Sequence, residues 1–329
     1  MFSIIIPLYN KRNFIRKTLE SVLSQELKDF EVIIVNDGSD DDSVSQIENI
    51  SDSRINIINQ INQGVGAARN NGMLHANFEW IAFLDSDDIW APNHLSELAK
   101  IIKEFPLSGM VSTNYETFYS NTEIKIESSK SKANIRSINY FLEPIVWTSA
   151  TAIKKEAFEK LGGFTNHESS EDLIYWARIA LDYPVAISDK ITSYYRLDTG
   201  GITDSIGSRV GKDYFREISS LSNVSPLIEF LVDKLKEESS VLKSSSIKKH
   251  INKNLLSILK IWLFRENIPM AKQIAEFGIP DFSEEFFIII FVRATPKLGI
   301  KKAITIYQKT FTLRQKKHLR KIKTIVSSK

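Results

Sequence analysis

Cysteine is missing from all 329 residues. That excludes disulfides and thiolate metal sites, and it fits a reducing compartment. No apolar stretch reaches the ~18 residues that would read as a membrane-spanning helix. The amino-terminal end has no basic leader region, and its first apolar run, Ile4-Ile5-Ile6, is cut by Pro7 and Asn10. This run therefore reads as a strand and not as a signal peptide. Acidic residues are missing from one place: between Arg293 and Lys329 there are 12 Lys or Arg and no Asp or Glu. The formal charge of +3 thus conceals a body of 31 basic against 40 acidic residues, a net of −9, followed by a basic tail. What is present is ordinary for a globular chain, 43% hydrophobic and 25% charged, and the length suits two domains.

The most informative stretch is Trp80-Ile81-Ala82-Phe83-Leu84-Asp85-Ser86-Asp87-Asp88. A short apolar run with aromatics reads as a strand buried on both faces, so the carboxylates sit at its carboxyl end, where open α/β sheets bind ligands. Period-2 geometry places Asp85 and Asp87 on one side of the chain, about 6 to 7 Å apart at Cα. Oxygen donors at that spacing suit Mg²⁺ or Mn²⁺ held together with substrate phosphates. Taken alone, the same residues also fit a polar turn in which Asp88 caps the next helix.

In chain order, the pattern predicts strands at Phe2–Tyr9, Phe30–Asn36, Ile55–Ile58 and Glu79–Leu84. Helices are expected at Lys11–Gln25, from the Asp and Ser residues after Gly38 to about Ile50, and from Gly64 to about Ala76. Strand and helix alternate with short connections, which predicts a parallel doubly wound sheet. A helix over Pro92–Phe105 follows. Strands are then expected at Met110–Tyr119, Glu123–Ile126, Ser149–Ile153 and Ile191–Arg196. Ser128 to Lys132 reads as a loop, and helices are expected over Ile135–Leu142, Lys155–Leu161 and Glu171–Asp182, the last capped by Ser169 or Ser170. Beyond about Ile206 glycines thin out and helical patterns dominate, so a domain boundary is placed near Ser205.

Five motifs occur in order: Pro7-Leu8-Tyr9-Asn10, Val35-Asn36-Asp37-Gly38-Ser39, Asn62-Gln63-Gly64 with Ala68-Arg69-Asn70, Asp85-Ser86-Asp87-Asp88, and Glu171-Asp172 with Trp176. Together they resemble the signature of the family 2 glycosyltransferases. The resemblance covers roughly residues 1 to 200 and implies a GT-A fold, Rossmann-like, with a mostly parallel central sheet flanked by helices. That makes 1–205 the nucleotide-sugar-binding and catalytic domain and 206–329 a helical carboxy-terminal domain.

The resemblance implies donor binding by Pro7, Tyr9, Asn10, Asp37, Asn62, Gly64, Arg69, Asp85 and Ser86. Pro7 and Tyr9 would flank a uracil-like ring, and Asp37, acceptor-only when ionised, would take its N–H. Asn62, Gly64 and Arg69 would close over base and pyrophosphate. Asp85 and Asp87 would hold Mn²⁺ or Mg²⁺, and Asp172 would be the base that deprotonates the acceptor hydroxyl.

In one place the chain departs from the pattern. Many relatives carry a His shortly after the Tyr-Arg that Tyr195-Arg196 matches, whereas this chain has Asp198, a further candidate ligand; His167 is a possible substitute. The Gln-x-x-Arg-Trp motif of processive relatives is missing.

The implied enzyme is an inverting, non-processive hexosyl- or N-acetylhexosaminyltransferase. It would take a UDP-sugar donor and a glycan or lipid-linked saccharide acceptor in cell-surface polysaccharide synthesis. The alternative is a catalytically silent sugar-nucleotide or glycan-binding module. Interleaved apolar and basic residues in 293–329 suit a peripheral contact with an anionic leaflet, on the inner face of the cell membrane of a cytoplasmic protein, each cation adding about 1 kcal/mol. No motif that reads nucleic acid is present.

Overall fold

A computed structural model describes residues 1–122, 126–128, 132–166, 170–200, 225–237, 245–264, 268–279 and 289. The chain divides into two compact units, Met1–Tyr214 and Phe215–Lys329.

The first unit is built on a nine-stranded sheet. Its strands are β1 (Phe2–Leu8), β2 (Phe30–Asp37), β3 (Ile55–Gln60), β4 (Trp80–Phe83), β5 (Ile89–Trp90), β6 (Met110–Tyr119), β7 (Ile135–Ile138), β8 (Thr151–Lys154) and β9 (Val185–Leu197). The order is β3-β2-β1-β4-β8-β6-β9-β5, with β7 also on β9. β3, β2, β1 and β4 run parallel, and β6 pairs parallel with β9. The pairs β4–β8, β6–β8, β5–β9 and β7–β9 are antiparallel. The expected mostly parallel sheet flanked by helices is therefore present.

Every residue of β1 is buried, as an uninterrupted apolar run in a central strand requires. Ile4 and Ile6 join Ile15, Leu19 and Val22 of α1 (Ile15–Leu23) in one apolar cluster that also takes Leu95, Leu98 and Ile101 of α3 (His94–Glu104). On the other face, α2 (Val65–Leu74) comes so close that a Cβ on Gly72 would lie 2.5 Å from Ile5 Cγ2. α4 (Lys155–Leu161) ends at Gly162, whose φ of 75° is a conformation glycine adopts freely. α5 (Glu171–Asp182) lays Trp176 against Phe83, ring centroids 5.6 Å apart.

Three local expectations are corrected. Ile135–Leu142 is not a helix. Its first part is β7, which the edge of β9 takes up in register Ile135↔Ser188 to Ile138↔Val185, and a turn at Asn139 follows. Cross-strand pairing of the two isoleucines outweighs local helical preference. Residues 41–49 form successive turns and no helix. Ser170, at φ 65°, makes no side-chain cap bond to α5.

Other expectations lie outside the described residues: most of the strand at Glu123–Ile126, the centre of the 128–132 loop, Ser169, His167, the boundary near Ser205 and the basic stretch 293–329. In the second unit the described elements are helices: α6 (Pro226–Glu237), α7 (Ser245–Phe264) and α8 (Ile268–Ala275). Asn252 clamps the backbone of Ile279, its Nδ2 donating to the carbonyl at 2.7 Å and its Oδ1 accepting from the N–H at 3.0 Å. Among the described residues no helix is long and apolar enough to cross a membrane.

A buried histidine gives the fold a pH dependence. His94 opens α3, stacks on Trp90 with centroids 4.2 Å apart and meets Thr192 Oγ1 through Nδ1 at 2.8 Å. Its Nε2 is buried without a hydrogen-bond partner among the described residues. Burial pushes the ring from 6.5 down to about 3. The unfolded chain therefore takes the proton first, so the stability this neutral ring confers is complete above 6.5 and is lost as the pH falls toward 3. By pH 5 the loss is expected to be about 2 kcal/mol. Denaturant midpoints at pH 5 and 7.5 should show it for the wild type and a smaller loss for His94→Gln. An equal acid loss in both would place the proton uptake elsewhere.

Candidate active site

The carboxyl ends of β1, β2 and β4 lie side by side, and the residues that follow them build the site. After β1 comes Tyr9, 46% exposed, and then Asn10, in the left-handed region at φ 52° that asparagine tolerates. Asn10 is tied to the loop after β2, its N–H donating to Ser39 Oγ (3.2 Å) and its Oδ1 accepting from Asp40 N–H (3.0 Å). Pro7 is buried within β1 itself.

Asp37 ends β2 and is almost fully buried. Its Oδ1 accepts from Gln60 Nε2 and the Gln63 N–H, both at 2.8 Å, and its Oδ2 accepts from the Gly64 N–H at 2.9 Å. The carboxylate thus holds the 61–64 loop in place and keeps acceptor capacity on Oδ2. Gly64, at φ 89°, has nothing within 4 Å of where a Cβ would stand, and Ile61 is 80% exposed. Asn62 is exposed in the same loop, and its N–H would lie 2.8 Å from a Cβ on Gly38, so that close approach admits only glycine.

Arg69 occupies a different place from the one expected. Instead of lying open over a pyrophosphate, its guanidinium is buried between two carboxylates. Nη2 donates to Asp85 Oδ1 at 2.7 Å and Nη1 to Glu171 Oε1 at 3.0 Å. Burial alone would depress this guanidinium, but Asp85 and Glu171 outweigh it and hold its charge more firmly than usual. Burial lifts the Glu171 carboxyl above its ordinary value, Arg69 opposes this and the neighbouring Asp172 adds to it.

The three acidic residues after β4 divide their work. The Asp85 N–H donates to Ser149 Oγ (3.1 Å). Asp87 Oδ2 meets the Lys11 ammonium at 2.8 Å and accepts from the Thr199 hydroxyl at 2.7 Å. Asp88 is fully buried and accepts from Ser149 Oγ at 2.6 Å and the Arg196 N–H at 3.0 Å. Its burial, with the charges of Asp87 and Asp85 added, pushes that carboxyl well above the usual carboxylate range. Asp88 is therefore a strut and caps no helix. Ser86 is also buried, its carbonyl accepting from Thr18 Oγ1 at 3.0 Å.

Asp172, in the first turn of α5, accepts from the Thr148 hydroxyl at 3.0 Å through Oδ2 and from the Leu173 N–H at 2.7 Å through Oδ1. Next to Thr148, Trp147 stacks on Tyr115 (5.1 Å) and meets Tyr195 (4.4 Å). Asp198 is turned to other work: it accepts from Ser120 N–H and Oγ, both at 2.9 Å.

The donor set fits a hard divalent ion. Asp85 Oδ2 and Asp87 Oδ1 accept no hydrogen bond among the described residues, and two carboxylate oxygens plus phosphate oxygens are the usual cage for Mg²⁺ or Mn²⁺. Among the described residues no group of three or more acidic, His or Cys side chains could hold an ion without such help.

Ser149, Thr148, Lys11 and Thr199 carry no motif. Lys11 alone left a trace, a cation directly after Asn10 at a strand's carboxyl end.

The sequence profile of Glycosyl transferase family 2 matches residues 3–162. The chain is 30% identical over 241 residues to the UDP-Glc:alpha-D-GlcNAc-diphosphoundecaprenol beta-1,3-glucosyltransferase WfaP of Escherichia coli, covering 68% of this chain and 85% of that one. The chain belongs to glycosyltransferase family 2. It spans about a third of the length of several other curated relatives it matches, 33% and 37% in two of them.

Among solved structures, S. aureus TarS residues 1–349 in complex with UDP-GlcNAc superposes with a TM-score of 0.56 at 18% identity, covering 94% of this chain and 92% of that one. The mannosyltransferase PcManGT of Pyrobaculum calidifontis, in complex with GDP-Man and Mn²⁺, gives 0.54 at 16%, covering 94% and 87%. These likenesses bear out the GT-A fold of this family 2 chain.

Proposed function

We propose that this family 2 chain is a metal-dependent, inverting, non-processive glycosyltransferase. It takes the sugar of a UDP-sugar to a hydroxyl of a glycan or lipid-linked saccharide in cell-surface polysaccharide synthesis. The observation that carries the reading is the Arg69 bridge. One guanidinium joins Asp85, of the donor turn, to Glu171, the neighbour of Asp172 on α5, so the donor turn and the helix that carries the candidate base are linked by one side chain. WfaP's UDP-glucose and TarS's UDP-GlcNAc favour a uridine donor, and PcManGT's Mn²⁺ favours a metal.

In this reading Tyr9 offers a stacking face to the base and Asp37 its remaining acceptor position. Asp87 and Asp85 hold the ion, which neutralises charge on the departing diphosphate when bound. Asp172 accepts the proton of the acceptor hydroxyl as that oxygen bonds to the anomeric carbon and the carbon–phosphate-oxygen bond breaks. One base and no enzyme nucleophile give a single displacement, hence inversion, by analogy with single-displacement glycosidases. Residues 1–205 form the catalytic domain and 206–329 the helical one, with the basic stretch 293–329 suited to an anionic leaflet.

A donor screen tests the reading. With Mn²⁺ present, one UDP-sugar should raise the melting temperature and be turned over, slowly to water and faster with acceptor. Binding of a nucleotide sugar without any turnover would favour the silent binding module instead.

A further inference from the structure

Lys11 belongs to none of the donor, metal or base roles, yet it is built into the site. Its N–H donates to Ser43 Oγ at 2.7 Å, which anchors the backbone beside the carboxyl end of β1. Its ammonium lies 2.8 Å from Asp87 Oδ2, and the two side chains are only 15% and 13% exposed. The same Nζ donates to the Thr199 carbonyl at 3.2 Å and lies 5.9 Å from the Phe14 ring. Thr199 Oγ1 donates to that same Oδ2 at 2.7 Å. Arg196, which also approaches this corner, spends its Nε on the Asp87 carbonyl, not on the carboxylate. Among the described residues Lys11 is thus the one cation in direct contact with the Asp87 carboxylate, while the Arg196 guanidinium feels its charge from the side of the carbonyl.

We propose that Lys11 is a built-in counter-cation for Asp87, a latch that a divalent ion loosens or displaces, and that the freed ammonium then binds the donor's diphosphate. The proposal rests on the nucleotide-sugar reading of the site. Oδ2 offers two lone pairs, both already used by Lys11 and Thr199, so an ion reaching that oxygen must remove one of them. An ion on Oδ1 instead would set two positive charges on one carboxylate, which weakens the ammonium's hold. A withdrawn ammonium needs acceptors, and the diphosphate brings new anionic oxygens to the same corner. Asp85 is no alternative partner, because Oδ1 is held by Arg69 and its other oxygen is claimed by the ion.

The test measures Mn²⁺ binding to wild type, Lys11→Met and Lys11→Arg without nucleotide, then UDP and uridine binding at saturating Mn²⁺. With its competitor removed, Lys11→Met should bind Mn²⁺ about threefold tighter or more, the order of one partly buried ion pair. The same variant should bind UDP about tenfold more weakly, the order of one charge-assisted hydrogen bond, with uridine unchanged. Lys11→Arg should stay near wild type in both. If Lys11→Met does not fold, Lys11→Gln takes its place. Mn²⁺ binding that is weaker or unchanged in the neutral variant overturns the latch, and unchanged UDP binding overturns the phosphate contact. A wild type that binds UDP but no Mn²⁺ overturns the metal reading itself and the latch with it.

Discussion

Asp172→Asn should lower kcat by roughly 10² to 10⁴, the usual worth of a general base, while nucleotide-sugar affinity changes little. The structure makes this substitution a clean one. Oδ1 accepts from the Leu173 N–H and Oδ2 from the Thr148 hydroxyl. An asparagine can keep the first bond with its oxygen, and the threonine hydroxyl can reverse its role and accept from the new NH₂. What disappears is the proton acceptor. Glu171→Gln provides the contrast: its carboxylate faces Arg69 and not an acceptor, so its loss should loosen the Arg69–Asp85 contact and act more on donor binding than on kcat. Transfer by Asp172→Asn within about threefold of wild type would place the base elsewhere.

If the proposed metal-dependent reaction holds, Asp87→Ala should reduce turnover by about a thousandfold or more, because it removes an oxygen donor that would hold the ion beside the departing diphosphate. The fold should survive, since the strut of this turn is Asp88, held by Ser149 and the Arg196 N–H, and not Asp87. A chelator should do to the wild type what the substitution does, and it should have little further effect on the variant. Donor affinity should lose its metal-dependent part in both. Wild-type activity that persists in excess chelator would remove the metal from the reaction.

Much of this protein is written locally. The run Trp80 to Leu84 specifies a doubly buried strand because nothing in it can face water, and the sudden Asp85-Ser86-Asp87-Asp88 marks its carboxyl end. The extent of α5, Glu171–Asp182, is legible from apolar spacing and acidic residues in the first turn. The order of the five motifs is enough for family and fold, because the first four begin at the carboxyl ends of β1 to β4, which a parallel sheet must gather on one edge, and the fifth opens α5.

What the tertiary structure alone decided is which partner each charged group takes. Arg69 reads as a phosphate donor in the linear chain. Only the packing of α2 beside α5 shows that Glu171, 102 residues away, takes half of its guanidinium. Asp88 resembles its acidic neighbours until Ser149 and Arg196 close over it, and Asp198 resembles a ligand until Ser120 claims both its oxygens. Lys11 meets Asp87 because β1 and β4 are neighbours in the sheet. The reason is physical: apolar patterning is a one-residue property repeated along a segment. The use of a charge is a two-residue property, set by whichever opposite charge or hydrogen-bond donor the fold brings within about 3 to 4 Å.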